Sequence, residues 1–317
     1  MKAVIINRYG PPEVLQYRDV EKPPIKPDRL LVKVCATSVN PIDWKLRRGD
    51  LQLLSGFNFP LRLGSDLAGV VEAVGAKVTQ FQPGDEIYTF VNPLGGGAYA
   101  EYVAVPESSA ALKPKNMTFE QAAAVPVAGL TALQALLNLG QVRPGEKVLI
   151  DGASGGVGTF AVQVAKAMST EVTGVCSTKN VEFVQSLGAD SVIDYTQQDF
   201  TQLGTQYDII FDAVAKRSFS DCQKVRNPEG IYISTRPSPE LFTQMLRTLF
   251  VPGKKAKLVL AQARARDLSA LRDLIEAGKV RSVIDRTYPL SEVAAAHAYS
   301  ETGKAVGKIV LTVVEDK

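Results

Sequence analysis

Val148-Leu149-Ile150-Asp151-Gly152-Ala153-Ser154-Gly155-Gly156-Val157-Gly158 has the form of a buried strand running into a glycine-rich turn, and a helix is expected from about Thr159. Gly155 and Gly156 carry no side chain where a diphosphate would have to approach backbone N–H groups. Gly158 lets the helix sit close on the strand, and the helix N-terminus adds unpaired N–H groups and a partial positive charge. Gly155, Gly156 and Val157 are therefore candidate contacts to the diphosphate of a dinucleotide. Ala153 stands where the G-x-G-x-x-G pattern has its first glycine, so the motif takes its weight from the strand before it and the helix after it. A tight turn without a ligand is the competing reading. Gly95-Gly96-Gly97 has no helix behind it and reads as a structural turn.

On the C-terminal side strands and helices alternate. Lys147–Asp151, Glu171–Cys176 and residues 191–195, 208–214, 230–234 and 258–261 have strand character. Residues 160–167 and 180–187 have helical character, with another element near 239–250. This spacing predicts parallel βαβ units. Dinucleotide folds that take NAD place an acid on the ribose about 20 residues past the glycine turn. Here that place reads Gly174-Val175-Cys176-Ser177-Thr178-Lys179-Asn180, without a carboxylate. Ser177, Lys179 and Asn180 offer hydroxyl, cationic and amide donors, which suit a 2′-phosphate and favour NADPH over NADH. A solvated turn with a helix cap is the alternative.

The N-terminal side is different. It is rich in Pro and Gly, with short β-branched runs at 3–6, 30–34, 67–74 and 99–105 between turns such as Gln82-Pro83-Gly84-Asp85 and Asn92-Pro93-Leu94-Gly95. This predicts an irregular β domain, a small barrel. Thr118 with Gln121 is a capping-box signature opening a helical run over 119–124 and 130–139. After residue 264 the pattern returns to that of the first third: a helix over 268–277, then strand, helix and strand over 280–288, 291–300 and 308–314. Two domains are expected, one from 1–123 and 265–317, the other from 124–264. A chain of 317 residues agrees with that number.

Composition excludes several classes. Hydrophobic residues are 45% and charged residues 22%, as in globular proteins. Three separated cysteines, Cys35, Cys176 and Cys222, give no disulfide framework and suit a reducing compartment. The net charge of +3 comes from interspersed signs, so nucleic acid is not an expected partner. No run approaches the roughly 20 apolar residues of a membrane span, and residues 1–7 lack a targeting pattern, so a cytoplasmic location is expected. The one histidine, His297, lies in an Ala-rich helical segment and reads as an ordinary helix residue. With no C-x-x-C and no H-E-x-x-H, no metal site is expected, and no G-x-S-x-G elbow points to hydrolysis.

Further segments carry a family likeness: Val39-Asn40-Pro41-Ile42-Asp43, Gly64-Ser65-Asp66-Leu67-Ala68-Gly69, Ala124-Val125-Pro126, Gly129-Leu130-Thr131-Ala132, Leu187-Gly188-Ala189-Asp190 and Gly307-Lys308-Ile309-Val310. With the glycine turn they resemble the medium-chain dehydrogenase/reductase superfamily over essentially the whole chain. Zinc members carry Cys where Asn40 lies and Gly-His-Glu where Gly64-Ser65-Asp66 lies. The chain therefore resembles the zinc-independent quinone oxidoreductase and enone (alkenal) reductase branch, in the group of the chloroplast-envelope quinone oxidoreductase homologue.

The resemblance implies an α/β fold: a GroES-like β-barrel domain plus a Rossmann domain with a doubly wound parallel sheet. It implies NADPH as cofactor, held by Thr131, Ser154, Gly155, Gly156, Val157, Ser177, Lys179, Asn180, Tyr195 and Lys308. Asn40 and Lys45 become the candidate catalytic donors to an oxyanion, and Trp44 a substrate wall or a core aromatic. Tyr195 as a surface aromatic and Lys45 as a solvated lysine are the plainer readings. The implied reaction is hydride transfer to a small apolar quinone or to the C=C bond of an α,β-unsaturated carbonyl. Loops at 51–59 and 242–250 would bound the substrate, and a homodimer would form at the sheet edge near 230–236 and 257–261. An enoyl-thioester reductase and an NADPH-binding adaptor protein with little turnover are the alternatives.

Overall fold

A computed structural model describes residues 1–92, 94–214, 217–250 and 255–313, the side chains of 248–250 excepted. They form two compact units: Met1–Val127 with Ala263–Glu276 and Ser282–Lys317, and Ala128–Gln262 with Ala277–Arg281.

The second unit is built on a sheet of six parallel strands among the described residues. Their order is Ser191–Asp194, Glu171–Cys176, Lys147–Asp151, Tyr207–Asp212, Arg226–Ser234, Lys255–Leu258. Numbered along the chain this is 3-2-1-4-5-6, the doubly wound order whose ligands bind beyond the strand C-termini where the order reverses. The central strand shows why the sequence alternates so little there: Val148, Leu149 and Ile150 are all fully buried, as a strand covered on both faces requires. Leu149, Val175, Ile210 and Tyr232 join Phe200 and Phe219 in one apolar cluster.

The glycine turn leads into a helix over Gly156–Ala167, so the helix starts three residues before the expected Thr159. The strand expected over 280–288 is Ile284–Pro289 and the one over 230–234 is Arg226–Ser234, and two further elements differ more. The strand expected at 258–261 lies at Lys255–Leu258, where Lys255 and Lys257 alternate with Ala256 and Leu258. That is the pattern of an edge strand with one buried face, and it has less apolar character than the Leu258-Val259-Leu260 run that follows. The helix expected over 130–139 is an α-helix over Pro126–Leu133 followed by a π-helical turn over Gln134–Leu139.

The first unit carries a sheet of seven strands and a smaller sheet of three among the described residues. Arg29–Val39 is its spine. It runs 11 residues, with Asp66–Val74 along one edge. Its other edge is shared: Arg29–Lys33 pairs with Tyr102–Pro106, and Ala36–Val39 pairs with Lys308–Thr312. Register shifts at Leu31/Val32 and Val34/Ala36 bend the strand between its partners, as barrel closure demands. Val32, Val34, Leu67, Ile87 and Val105 fill the interior. The expected end of the last strand at Val314, and Pro93 of the turn at 92–97, lie outside the described residues.

One helix has no clear signal in the sequence. Pro41–Arg48 shows Ile42, Trp44 and Leu46 alternating with polar residues, without a helical stripe. Pro41 at the first helical position and Asp43 accepting the Asn40 N–H at 2.8 Å start it nonetheless.

Candidate functional site

The glycine turn closes on itself. Gly152 takes a left-handed φ of +81°, Gly152 and Ala153 donate to Val175 O, and Gly155 donates to Gly152 O at 3.0 Å. A Cβ on Gly158 would lie 2.1 Å from Gly152 O, so the helix reaches this distance from the strand only with glycine there. Gly155 caps the helix, leaving the first N–H groups of Gly156, Val157 and Gly158 at its positive end.

Asn180 draws the next loop onto this turn. Its Nδ2 donates to Ser154 Oγ at 3.0 Å and to Ser177 Oγ at 3.4 Å. Lys179 is exposed and lines a cavity of about 540 Å³ together with Glu182 and Asp194. The Thr178 hydroxyl donates to Asp194 at 2.5 Å, which holds that carboxyl below its ordinary range. Tyr195 is 53% exposed, and its N–H donates to Cys176 O at 3.0 Å. Ser154, Gly155, Ser177 and Asn180 are thus in one place, with Gly156 and Val157 opening the helix, Lys179 on the second loop and Tyr195 just past the neighbouring strand Ser191–Asp194. Thr131 is buried on the Pro126–Leu133 helix.

The first unit holds a separate polar cluster around Asp66, which is fully buried. Asp66 Oδ2 accepts from Ser38 Oγ at 2.6 Å, Asn40 Nδ2 at 2.8 Å and Lys308 Nζ at 3.3 Å. Asp66 Oδ1 accepts from Val127 N–H at 2.7 Å. Lys308 Nζ also donates to Asn40 Oδ1 and to Val39 O. The Asn40 amide is therefore oriented without ambiguity, with a carboxylate at its nitrogen and an ammonium at its oxygen. One N–H of the amide has no acceptor among the described residues. Lys308, expected at the cofactor, has its ammonium committed inside this cluster. Lys45 lies about a turn and a half along the helix from Asn40, its Nζ 5.6 Å from the Trp44 ring. Trp44 packs against the cluster of Val39, Leu46 and Leu311, with its indole N–H buried and unpaired.

A second buried chain of side chains, unmarked in the sequence, lies beside it. Asp43 Oδ1 accepts from Ser65 Oγ at 2.6 Å, and Oδ2 accepts from the Asn40 N–H and, at 3.1 Å, from Tyr99 OH. Tyr99 OH in turn meets His297 Nε2 at 3.1 Å. Burial pushes Asp43 up to about 6 and holds His297 down to about 3. Arg47 is fully buried, paired with Glu301. His297 is thus a fully buried core histidine of the Val293–Glu301 helix. The one available signal is the charge of Asp66 at the head of the apolar run Leu67-Ala68-Gly69-Val70-Val71.

A six-stranded parallel sheet with a phosphate-type turn, in a chain whose first unit is a largely antiparallel β fold, defines the class of two-unit dinucleotide-binding proteins. Comparison with known proteins makes this specific. Residues 26–115 match the alcohol dehydrogenase GroES-like domain, and residues 187–311 match the family model described as zinc-binding dehydrogenase. The chloroplast envelope quinone oxidoreductase homolog of Arabidopsis thaliana is 36% identical over 98% of this chain and 98% of its own. The chloroplastic NADPH-dependent alkenal/one oxidoreductase of the same plant is 35% identical over 98% of this chain and 79% of its own. The quinone oxidoreductase structure from Coxiella burnetii superposes with a TM-score of 0.88 at 34% identity, covering 99% of both chains. The chain belongs to the medium-chain dehydrogenase/reductase superfamily, oxidoreductases that bind nicotinamide cofactors.

Zinc does not fit the side chains present. Among the described residues no group of three or more His, Cys, Asp or Glu could hold a metal ion, and the Asp66 carboxylate already faces the Lys308 ammonium. Among the described residues no helix is long and apolar enough to cross a membrane.

Proposed function

We propose that the chain is an NADPH-dependent, zinc-independent reductase acting on a small apolar quinone or on the C=C bond of an α,β-unsaturated carbonyl. The observation that carries this reading is the loop after Glu171–Cys176. It offers Ser177, Lys179 and Asn180 where an NAD-binding protein would offer a carboxylate, and Lys179 is exposed there. Asp194, on the neighbouring strand, is already occupied by the hydroxyls of Thr178 and Thr196.

Gly155, Gly156 and Val157 would hold the diphosphate, Ser154, Ser177 and Lys179 the 2′-phosphate, Tyr195 the adenosine, and Thr131 the nicotinamide end. When bound, the cofactor supplies a hydride to an electron-poor carbon. The chain supplies the rest. As charge collects on the acceptor oxygen, the remaining Asn40 N–H donates to it, strengthened by the Lys308 ammonium on the amide oxygen. Lys45 is the second candidate donor. Much of the rate then comes from positioning and from exclusion of water.

The assembly proposed with this reading is a cytoplasmic homodimer. Lys255–Leu258 ends the parallel sheet and offers a strand edge to a second copy.

The test follows NADPH absorbance with a panel of quinones, enones and enoyl thioesters, with and without a chelator. Quinone or enone turnover unaffected by chelation is expected, and Lys179→Ala should weaken NADPH at least tenfold more than NADH. Tight NADPH binding without oxidation by any acceptor would leave a binding protein. Equal loss of both cofactors in Lys179→Ala would remove the 2′-phosphate assignment.

A further inference from the structure

Ser154 and Ser177 stand on different loops, one after each of two neighbouring strands, and one side chain sets the hydrogens of both. The Asn180 amide nitrogen has two hydrogens, and both are spent: on Ser154 Oγ at 3.0 Å and on Ser177 Oγ at 3.4 Å. The residue is buried and its backbone N–H donates to Ser177 O at 2.8 Å, so the chain at Asn180 is held against the same loop. The amide nitrogen has nothing left to give a ligand.

A hydroxyl that accepts from an amide keeps its own hydrogen to donate. Among the described residues neither serine hydroxyl donates to a protein acceptor. Both serines are only partly buried, so each keeps an O–H to donate, one on the glycine turn and one on the Lys179 loop. Two O–H donors beside the exposed Lys179 ammonium suit an anion bearing several oxygens.

We propose that Asn180 is a positioning residue which fixes Ser154 and Ser177 as donors to the 2′-phosphate of the cofactor and thereby sets the preference for the phosphorylated form. This rests on the NADPH reading of the same loop. It reassigns Asn180 from a ligand contact to a group acting through two others. An Asp of the same size at this position would only accept, turning both hydroxyl hydrogens inward.

The probes are 2′,5′-ADP and 5′-AMP, titrated calorimetrically into the full chain, so no acceptor substrate is needed. Unmodified protein should prefer 2′,5′-ADP. Asn180→Ala should lower its affinity about tenfold and leave 5′-AMP within about twofold. In a Ser154→Ala/Ser177→Ala background the same substitution should change 2′,5′-ADP affinity by less than about twofold, because Asn180 would have nothing left to orient. Asn180→Asp, which keeps the shape, should abolish the preference and serves if the alanine variant misfolds. An equal loss from Asn180→Ala in both backgrounds, or a preference that survives both Asn180 substitutions, overturns the inference and leaves the NADPH reading standing. An unmodified protein with no preference for 2′,5′-ADP overturns both.

Discussion

His297 and Asp43 respond to acid in opposite senses. The folded protein keeps His297 neutral down to about 3, whereas an unfolded chain protonates it near 6.5. Its contribution is present above 6.5 and is lost as pH falls toward 3. Asp43 is raised to about 6 from 3.8, so the folded state binds its proton first, and stability is gained as pH falls from 6 to 3.8. Across that window the two slopes cancel. Removing either group should expose the other. Urea midpoints measured between pH 6 and pH 4 should show His297→Gln gaining stability relative to the unmodified protein by about 1.4 kcal/mol per pH unit, and Asp43→Asn losing a similar amount. Curves that stay parallel for all three proteins would sink this account. Both side chains are fully buried, so solvent screening does not dilute the effect.

Asp43, Tyr99 and His297 were also the part of the site hardest to read from the chain. Tyr99 and His297 are 198 residues apart, and nothing local to either marks the pairing. The candidate cofactor loops are legible because their parts are nearly contiguous and their chemistry is local: glycines where a bound diphosphate would need bare backbone, small polar residues where an anion would be met.

At the scale of elements, the fit of helix Gly156–Ala167 on its strand depends on one missing methyl group. Gly158→Ala would put a carbon 2.1 Å from Gly152 O, and the helix would have to lift. A loss of about 2–3 kcal/mol in unfolding free energy is expected, with weaker 2′,5′-ADP binding because the turn moves with the helix. Stability and binding both unchanged would mean that the turn has slack. The strands of the parallel sheet were readable from runs such as Val148-Leu149-Ile150, because burial on both faces leaves a continuous apolar signature. Helix Pro41–Arg48 was not, because Ile42, Trp44 and Leu46 recur every second residue while its start is set by Pro41 and Asp43. The shift of the last parallel strand to Lys255–Leu258 has the same root: an edge strand needs only one apolar face.

At the scale of the whole molecule, the spine Arg29–Val39 takes one of its partners from Lys308–Thr312, made some 270 residues later. All six parallel strands lie between residues 147 and 258. During synthesis the nucleotide-type sheet can therefore close while the β unit still lacks a wall. A nascent chain stopped at residue 281 should give a protease-resistant fragment from the 128–281 region and leave its first hundred residues open to cleavage. Resistance of both parts at that length would show that the β unit closes without its last strand. Until residue 312 emerges, the apolar interior around Val39 and Leu46 has no cover from Ile309 and Leu311, and its protection in that interval falls to whatever chaperone meets it first.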